Sequence, residues 1–147
     1  MQLKKKTFII AEVGNNHEGN FVIAKKLVNL AAKAGADAVK FQTFKTQNFI
    51  RKNNKKRFNQ LKKFELSYKQ FKVLRELAHK SKIKFISTPL DLESADFLIK
   101  NSDAIKIASG DNNFFPLIEK SLTSKKPLII STGMTDIKDL KYLIKTL

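Results

Sequence analysis

Two lysines interrupt apolar segments that otherwise have the composition of buried strands. Lys106 lies in the middle of residues 104–108, and Lys40 lies within residues 38–44. A strand that is covered by helices on both faces normally consists of apolar residues throughout. An unpaired ammonium group is expensive to bury, so each lysine predicts an anionic group nearby. That group can be a bound ligand or a core carboxylate, unless the side chain reaches solvent past the end of its strand.

Small polar residues occur at the end of each of five predicted strands. They are Glu12 with Asn15, Asn16 and His17; Lys40 with Gln42; Ser87 and Thr88; Lys106 with Ser109 and Asp111; and Ser131 and Thr132. Two ammonium groups among hydroxyls and backbone amides favour phosphate or a phosphorylated acid as a ligand. Glu12 and Asp111 add carboxylates that can take a proton or bind sugar hydroxyls. The alternative is a network of lysine–glutamate pairs that only fills the core.

The elements that position these residues alternate between strand and helix. We predict strands at residues 7–13, 38–44, 84–89, 104–108 and 127–133. A helix follows each strand, and no hairpin signal interrupts the series. Alternation of this kind implies a parallel sheet with right-handed crossovers. Between the second strand and its helix, residues 45–63 form a basic segment that we predict to be a long surface loop with a short helix.

Helix boundaries follow from capping residues. Asn20 is a suitable N-cap for a helix over residues 21–34, and Gly35 is its C′ residue. Ser67 and Gln70 form a capping box, and Asp91 caps the next helix. The apolar faces that we predict to point inward contain Ile23, Leu27, Leu30, Ala31 and Ala34 in the first helix, Phe71, Leu74, Leu77 and Ala78 in the capping-box helix, and Ile137, Leu140, Ile144 and Leu147 in the last.

Two α/β architectures compete for this pattern, an open doubly wound sheet and part of a closed barrel. The dinucleotide fingerprint is absent, because Gly14 and Gly19 do not form G-x-G-x-x-G. Polar residues at every strand end match the place where a barrel enzyme keeps its site, and a full barrel takes about 250 residues. We therefore predict an α/β fold, a partial (β/α)8 TIM barrel of about five β/α units.

Composition excludes several classes of site. The formal net charge is +16, but all except three of the 29 basic residues are lysines. Since arginine is the preferred reader of phosphates and guanine edges, nucleic-acid binding is disfavoured. The absence of cysteine excludes disulfides and thiolate metal sites. The apolar run that follows the first lysines stops at Glu12, too short for a signal peptide or a membrane span, so we expect a cytoplasmic protein without membrane contact.

Taken together, the motifs resemble the sialic acid synthase (N-acetylneuraminate synthase) family. They are AEVGNNHEG at residues 11–19, VKFQT at 39–43, STP at 87–89, IKIASGD at 105–111 and ISTGM at 130–134. The resemblance runs from about Thr7 to the end of the sequence in the family's order. It implies a metal-dependent TIM barrel followed by a small antifreeze-like domain, usually dimeric, that condenses phosphoenolpyruvate with N-acetylmannosamine or a related amino sugar.

The resemblance also implies roles for individual residues. The positions that hold phosphoenolpyruvate in the family correspond to Lys40, Thr88, Lys106, Ser109 and Ser131. Positions near the sugar and the attacking water correspond to Glu12, Gln42 and Asp111, and we assign Glu12 the catalytic role. Asp111 stands where some members have Glu. The family's manganese or magnesium ligands are histidines on later strands, beyond Leu147, so we expect no metal ligand in this chain. His17 could contact substrate, whereas His79 is expected to be solvated.

These expectations make residues 1–147 the N-terminal portion of a synthase barrel, without the remaining strands or the antifreeze-like domain. We expect the chain to be inactive by itself, and a full-length enzyme to be a homodimer. One alternative is a non-catalytic truncated or split synthase, and a less favoured one is a lysine-rich nucleic-acid-binding protein. The sequence does not choose among N-acetylmannosamine and the legionaminic-type and pseudaminic-type precursors.

Overall fold

The computed structural model describes residues 7–146. Its elements, in chain order, are β1 (Ile10–Gly14), α1 (Phe21–Lys33), β2 (Ala38–Thr43), α2 (Thr46–Phe49), α3 (Lys55–Phe64), α4 (Tyr68–Lys80), β3 (Lys84–Pro89), α5 (Leu92–Asn101), β4 (Ala104–Ile107), a 3-10 turn (Ser109–Asp111), α6 (Phe115–Leu122), β5 (Leu128–Ile130) and α7 (Ile137–Thr146). Across this part of the chain, no helix is both long and apolar enough to cross a membrane.

The five strands form one parallel sheet in the order β1-β2-β3-β4-β5. Each strand pairs with the next one along the chain, whereas a doubly wound sheet reverses its strand order at a switch point. The prediction of a partial barrel with five β/α units is therefore confirmed. Among the described residues, β1 and β5 each pair on one side only.

Alternation along the strands separates an apolar outer face from an inner face that is polar toward the carboxyl ends of the strands. Val39, Phe41 and Phe85 are fully buried between the sheet and helices α1 and α4. The rings of Phe41 and Phe85 stack with their centroids 5.7 Å apart. Each large side chain buried in this way contributes about 1.5–3 kcal/mol relative to exposure. Because Lys40 and Gln42 alternate with these residues in β2, they face the inside of the barrel.

The predicted caps are confirmed. The Asn20 side chain accepts hydrogen bonds from the backbone of Val22 and Ile23, and Gly35 has a φ of +83° beyond the end of α1. Both bonds of the capping box between Ser67 and Gln70 are present.

The Asp91 carboxylate accepts the Ser94 N–H at 2.8 Å at the start of α5. The same carboxylate accepts the Lys45 N–H at 2.8 Å, so this cap also holds the loop after β2.

The predicted inward face of α1 is wrong in part. Ala24, Val28 and Ala31 are buried, whereas Ile23 and Leu30 are 42% and 49% exposed. Apolar residues cover more than one stripe of this helix, so periodicity alone does not select the stripe that meets the sheet. The small side chains at the buried positions let α1 lie close to the rest of the core.

The two edge strands are shorter than predicted. β1 begins at Ile10 rather than at residue 7, and Phe8 and Ile9 are more than half exposed. β5 ends at Ile130 rather than at residue 133, because its ladder with β4 stops at the Ile107–Ile130 pair. An edge strand has one ladder instead of two, so its ends leave the sheet sooner.

The segment 45–63 is more helical than the predicted loop. It contains α2 and most of α3, and α3 is capped by Asn54, whose side chain accepts the Arg57 N–H at 3.2 Å. The Glu65 carboxylate that follows α3 accepts the N–H and the hydroxyl of Thr46 at 2.9 and 2.8 Å. These long-range bonds and the burial of Leu61 stabilise helices that the basic composition of the segment does not predict.

The inner face and α7 leave apolar surface uncovered. Ile86 and Ala104 are buried at the amino-terminal half of the inner face, but Ile129 beside them is 36% exposed. On α7, Leu143 is buried while Ile137 and Ile144 are 73% and 62% exposed, and Leu140 is half-buried. The predicted inward face of α7 is therefore only partly covered; its remaining member, Leu147, lies outside the described residues.

Candidate active site at the carboxyl ends of the strands

A cavity of about 500 Å³ lies at the carboxyl ends of the strands. It is lined by Glu12, Val13, Gly14, Asn15, Asn16, Lys40, Gln42, Thr88, Lys106, Ala108, Ser109 and Ser131. Every residue that was assigned to a substrate or to catalysis, except Asp111, is in this set. The alternation of each strand and the parallel order of the sheet bring together residues that are up to 119 positions apart, from Glu12 to Ser131.

The two lysines face the same cavity but have different partners. Lys40 forms an ion pair with Glu12, which is its register partner on β1. Lys106, two strands away on β4, donates to the Ser131 hydroxyl and to the Ile107 carbonyl. The carboxylate therefore compensates one ammonium group, while the other is held by neutral oxygens. The cavity keeps a net positive charge that suits an anion.

Electrostatics single out Lys106. Burial lowers its pKa, and the charge of Lys40 lowers it further, while Glu12 acts in the opposite direction. Each factor that disfavours the Lys106 ammonium would be offset by an anion bound between the two lysines. The position of Lys106 beside Lys40 therefore favours a negatively charged ligand.

A distortion of β1 brings the first loop into the site. The register between β1 and β2 shifts between Glu12 and Gly14, and Gly14 has a φ of +53°. A Cβ on Gly14 would lie 3.3 Å from Glu12 Oε1, so a side chain at this position would crowd the carboxylate. The Asn15 Nδ2 then donates to Gln42 Oε1 at 2.6 Å.

The Asn15–Gln42 pair leaves one acceptor available. Asn15 Oδ1 is buried and has no hydrogen-bond partner in the described part of the chain. Sequence reasoning placed Asn15 among the polar strand-end residues but assigned it no role. Its pairing with Gln42 depends on the bulge in β1, which the sequence signals only through the glycine at position 14.

The hydroxyl groups divide between the two faces of the sheet. Thr88 and Ser109 line the cavity, as predicted. Ser87 points to the opposite face, where it donates to the Phe41 carbonyl at 3.1 Å and bonds the Thr43 hydroxyl at 2.8 Å. Ser87 and Thr88 were predicted to lie together among the polar residues at the strand ends, but adjacent residues of a strand face opposite sides of the sheet. Ser87 is a structural residue of the core.

Asp111 lies in the 3-10 turn after β4 and is not among the residues that line the cavity. Burial raises the pKa of its carboxyl group. Thr132, another of the polar residues at the strand ends, is exposed and also outside the lining.

Neither histidine reaches the cavity. His17 is buried, and its Nδ1 accepts the Gly19 N–H at 3.0 Å; burial lowers its pKa. His79 is exposed, as expected, but it also has a partner, because its Nε2 lies 2.8 Å from Asp103 Oδ2. Asp103 also accepts the Phe85 N–H, which ties this pair to the amino-terminal end of β3. Within residues 7–146, no cluster of three or more acidic or histidine side chains is arranged to hold a metal.

Comparisons with known proteins agree with this geometry. The profile of the NeuB family matches residues 27–147. The chain is 51% identical over 142 residues to an uncharacterized protein of Methanocaldococcus jannaschii, covering 96% of this chain and 42% of that protein. It is 41% identical over 153 residues to the N,N'-diacetyllegionaminic acid synthase of Legionella pneumophila, covering 95% of this chain and 43% of the synthase.

A solved structure gives the same result. The N-acetylneuraminic acid synthetase of Leptospira borgpetersenii, crystallised with citrate, superposes with a TM-score of 0.91 at 31% identity, over 97% of this chain and 50% of that one. The chain thus spans about half, or less, of the length of the proteins it matches. With the family profile matching most of its residues, the chain belongs to the NeuB, or sialic acid synthase, family and corresponds to its N-terminal region.

Proposed function

We propose that this chain is part of a synthase that condenses phosphoenolpyruvate with N-acetylmannosamine or a related amino sugar, forming a nonulosonic acid and releasing phosphate. The observation that carries the proposal is the pair of lysines in one cavity whose lining contains a single carboxylate, Glu12, paired with Lys40. Phosphoenolpyruvate has a phosphate and a carboxylate, so it suits a cavity with two ammonium groups. The family membership supports the same substrate class.

The proposed reaction balances with water as the third reactant. C3 of phosphoenolpyruvate attacks the aldehyde carbon of the open-chain sugar, and the aldehyde oxygen takes a proton. Water adds at C2, and the resulting tetrahedral centre loses phosphate by cleavage of its C–O bond, leaving a 2-oxo acid. Lys40 and Lys106 neutralise the two anionic groups, while the hydroxyls of Thr88, Ser109 and Ser131 orient them. Their contribution is positioning and electrostatic stabilisation.

Glu12 is the proposed proton carrier. It is half exposed at the mouth of the cavity, next to Lys40, and it is the carboxylate in the cavity lining. In this role it takes a proton from the attacking water or returns one to the aldehyde oxygen. Gln42, whose amide oxygen is already bonded to Asn15, retains its amide N–H groups for sugar hydroxyls. Asp111 keeps its proposed role near the sugar through the family resemblance alone.

A divalent metal, manganese or magnesium, is expected for this family as an electrophile for the aldehyde. The described residues do not fit such an ion, because Glu12 is ion-paired with Lys40 and neither His17 nor His79 lines the cavity. The ligands of the metal would come from residues other than these. We further propose that the full-length enzyme is a cytoplasmic homodimer that binds neither nucleic acid nor membranes.

Calorimetric titration of the purified chain tests the proposal. We expect phosphoenolpyruvate to bind with higher affinity than pyruvate or inorganic phosphate, because only phosphoenolpyruvate supplies both anionic groups. Short duplex DNA is the control for non-specific attraction to the charge of +16, and its binding should fall steeply with added salt. Equal affinity for all three small anions, or binding that is strong only for DNA, would contradict the proposal.

A further inference from the structure

Asn112 is a polar side chain that is almost completely buried behind the candidate active site. It follows the turn Ser109–Asp111, is 6% exposed and does not line the cavity. Its Nδ2 donates to the Gly133 carbonyl at 2.9 Å and lies 3.4 Å from the Ser131 carbonyl. Buried polar groups in native proteins are hydrogen-bonded, and here that requirement joins the loop after β4 to the loop after β5.

The loop after β5 needs such an attachment. β5 pairs only with β4 in the described sheet, and its last backbone contact with that strand is the Ser131 N–H donating to the Ile107 carbonyl at 3.1 Å. Beyond that bond Thr132 and Gly133 are exposed, and Met134 adopts a φ of +59°. The position of the Ser131 side chain therefore depends on contacts made outside the ladder.

Ser131 supplies one of the two neutral oxygens that hold the Lys106 ammonium, the other being the Ile107 carbonyl. Its hydroxyl accepts from Lys106 Nζ, and both residues line the cavity. The loops are also close at a second point, since a Cβ on Gly133 would lie 3.6 Å from the Cβ of Ser109. Two cavity hydroxyls, on Ser109 and Ser131, thus belong to the two loops that Asn112 connects.

We propose that Asn112 is a positioning residue whose amide clasps these two loops and holds the Ser131 hydroxyl against Lys106. The clasp fixes the ammonium group at the place where the ligand's anionic group arrives. Identification of that ligand as phosphoenolpyruvate rests on the proposed function, whereas the coupling of Asn112 to Lys106 does not.

Removing the Asn112 amide should lower the affinity of the site for its ligand more than it lowers the stability of the fold. In Asn112→Ala the Ser131 and Gly133 carbonyls lose their donor, but they lie in an exposed loop where water replaces it. The Ser131 hydroxyl is then no longer held against Lys106. We expect the affinity for phosphoenolpyruvate to fall by about 2- to 12-fold, the range that corresponds to the loss of one ordinary hydrogen bond.

The test compares matched variants by calorimetric titration with phosphoenolpyruvate. Asn112→Ala and the isosteric Asn112→Asp both lack the amide donor, and Asn113→Ala is the control because its side chain is exposed in the same loop. We expect weaker binding in the first two and unchanged binding in the control. In a Ser131→Ala background, Asn112→Ala should cause little further loss, because the two residues act through one hydroxyl.

A second readout needs no ligand and separates this proposal from the proposed function. The pKa of Lys106 can be followed by NMR titration of chains that carry carbon-13-labelled lysine. Loss of the Ser131 acceptor disfavours the ammonium form, so the Lys106 pKa should fall in Asn112→Ala and in Ser131→Ala but not in Asn113→Ala.

Each outcome decides one of the two ideas. If the unaltered chain binds no phosphoenolpyruvate, the proposed function fails, and the Lys106 titration still decides the role of Asn112. An unchanged Lys106 pKa in Asn112→Ala would overturn the clasp. The clasp would also be overturned if the losses of affinity caused by Asn112→Ala and Ser131→Ala were additive in the double variant. If neither Asn112 variant folds, the residue is a structural core residue and the proposal is equally overturned.

Discussion

Replacing Lys106 with methionine separates the binding role of this lysine from its effect on stability. Methionine keeps a flexible apolar stem in the same space and removes the ammonium group. In the folded chain that group is partly buried, bonded to neutral oxygens, and in the field of Lys40. The change should therefore weaken anion binding while leaving the fold as stable as before, or more stable.

The loss of affinity follows from the bond that Lys106 would make to the ligand. A hydrogen bond between charged groups contributes about 1.5–3 kcal/mol, which corresponds to a roughly 10- to 150-fold weaker affinity when it is removed. The Lys40 ammonium remains but is already compensated by Glu12. It cannot replace Lys106 without losing part of that ion pair.

The pH dependence of stability has a defined sign. Burial and then the charge of Lys40 lower the folded-state pKa of Lys106 below the value of 10.5 for an unperturbed lysine. Between those two values the unfolded chain binds more protons, so the free energy of unfolding gains a contribution that rises with pH. That rise should be absent in Lys106→Met.

Two measurements check this prediction. Calorimetric titration gives the affinity for phosphoenolpyruvate, and urea unfolding between pH 8 and about pH 11 gives the stability. Lys138→Met, which removes an exposed lysine of α7, is the control for the change in net charge. Binding that is equally strong in Lys106→Met and in the Lys138 control would refute the assignment of Lys106 to the anion site.

Three further predictions concern Glu12, Asp103 and the chain as a whole. In a complete enzyme that carries this segment, Glu12→Gln should leave phosphoenolpyruvate binding at least as strong, because it frees Lys40 from its ion pair, and should lower kcat by about 10²- to 10⁴-fold. Unchanged turnover would remove Glu12 from the chemistry. Burial opposes ionisation of Asp103, but bonds from the Phe85 N–H and His79 outweigh it and lower its pKa. The contribution of Asp103 to the free energy of unfolding should be complete above the carboxyl pKa of the unfolded chain and should disappear as the pH falls through the carboxyl pKa of the folded chain. The melting temperature should therefore change less between pH 7 and pH 3 in Asp103→Asn than in the unaltered chain. Residues 1–147 alone should show no synthase activity with added manganese and should self-associate on size exclusion, because Ile129, Ile137 and other apolar side chains are uncovered; an active monomer would contradict this.

Local sequence was sufficient for the framework of the fold and for most of the site. The β/α alternation, the caps at Asn20, Ser67 and Asp91, and the placement of Lys40 and Lys106 inside strands depend on residues within a few positions of one another. A parallel sheet then brings all strand ends to one edge, so residue types at those ends predict a common cavity. For this reason Lys40, Lys106 and Ser131 could be assigned to one site before any contact was known.

The partners within that site depend on the tertiary structure. The sequence does not indicate that Glu12 pairs with Lys40, or that Asn112 bonds the carbonyls of a loop some 20 residues later. Such contacts are set by strand register and loop geometry, which join residues far apart in the chain. The same holds for Asp111, which the motif placed in the site and the turn after β4 places outside the cavity lining.

The buried stripe of α1 is a further choice that only tertiary packing makes. Apolar side chains on several faces of this helix satisfy the same periodicity, so burial of Ala24 and Val28 instead of Ile23 and Leu30 follows from how closely the helix can approach its neighbours. The sequence alone therefore determined the order of the elements and the kind of chemistry at the strand ends. The tertiary structure decided which charges are compensated and which loops are joined, because those outcomes depend on distances between residues that the chain itself does not place side by side.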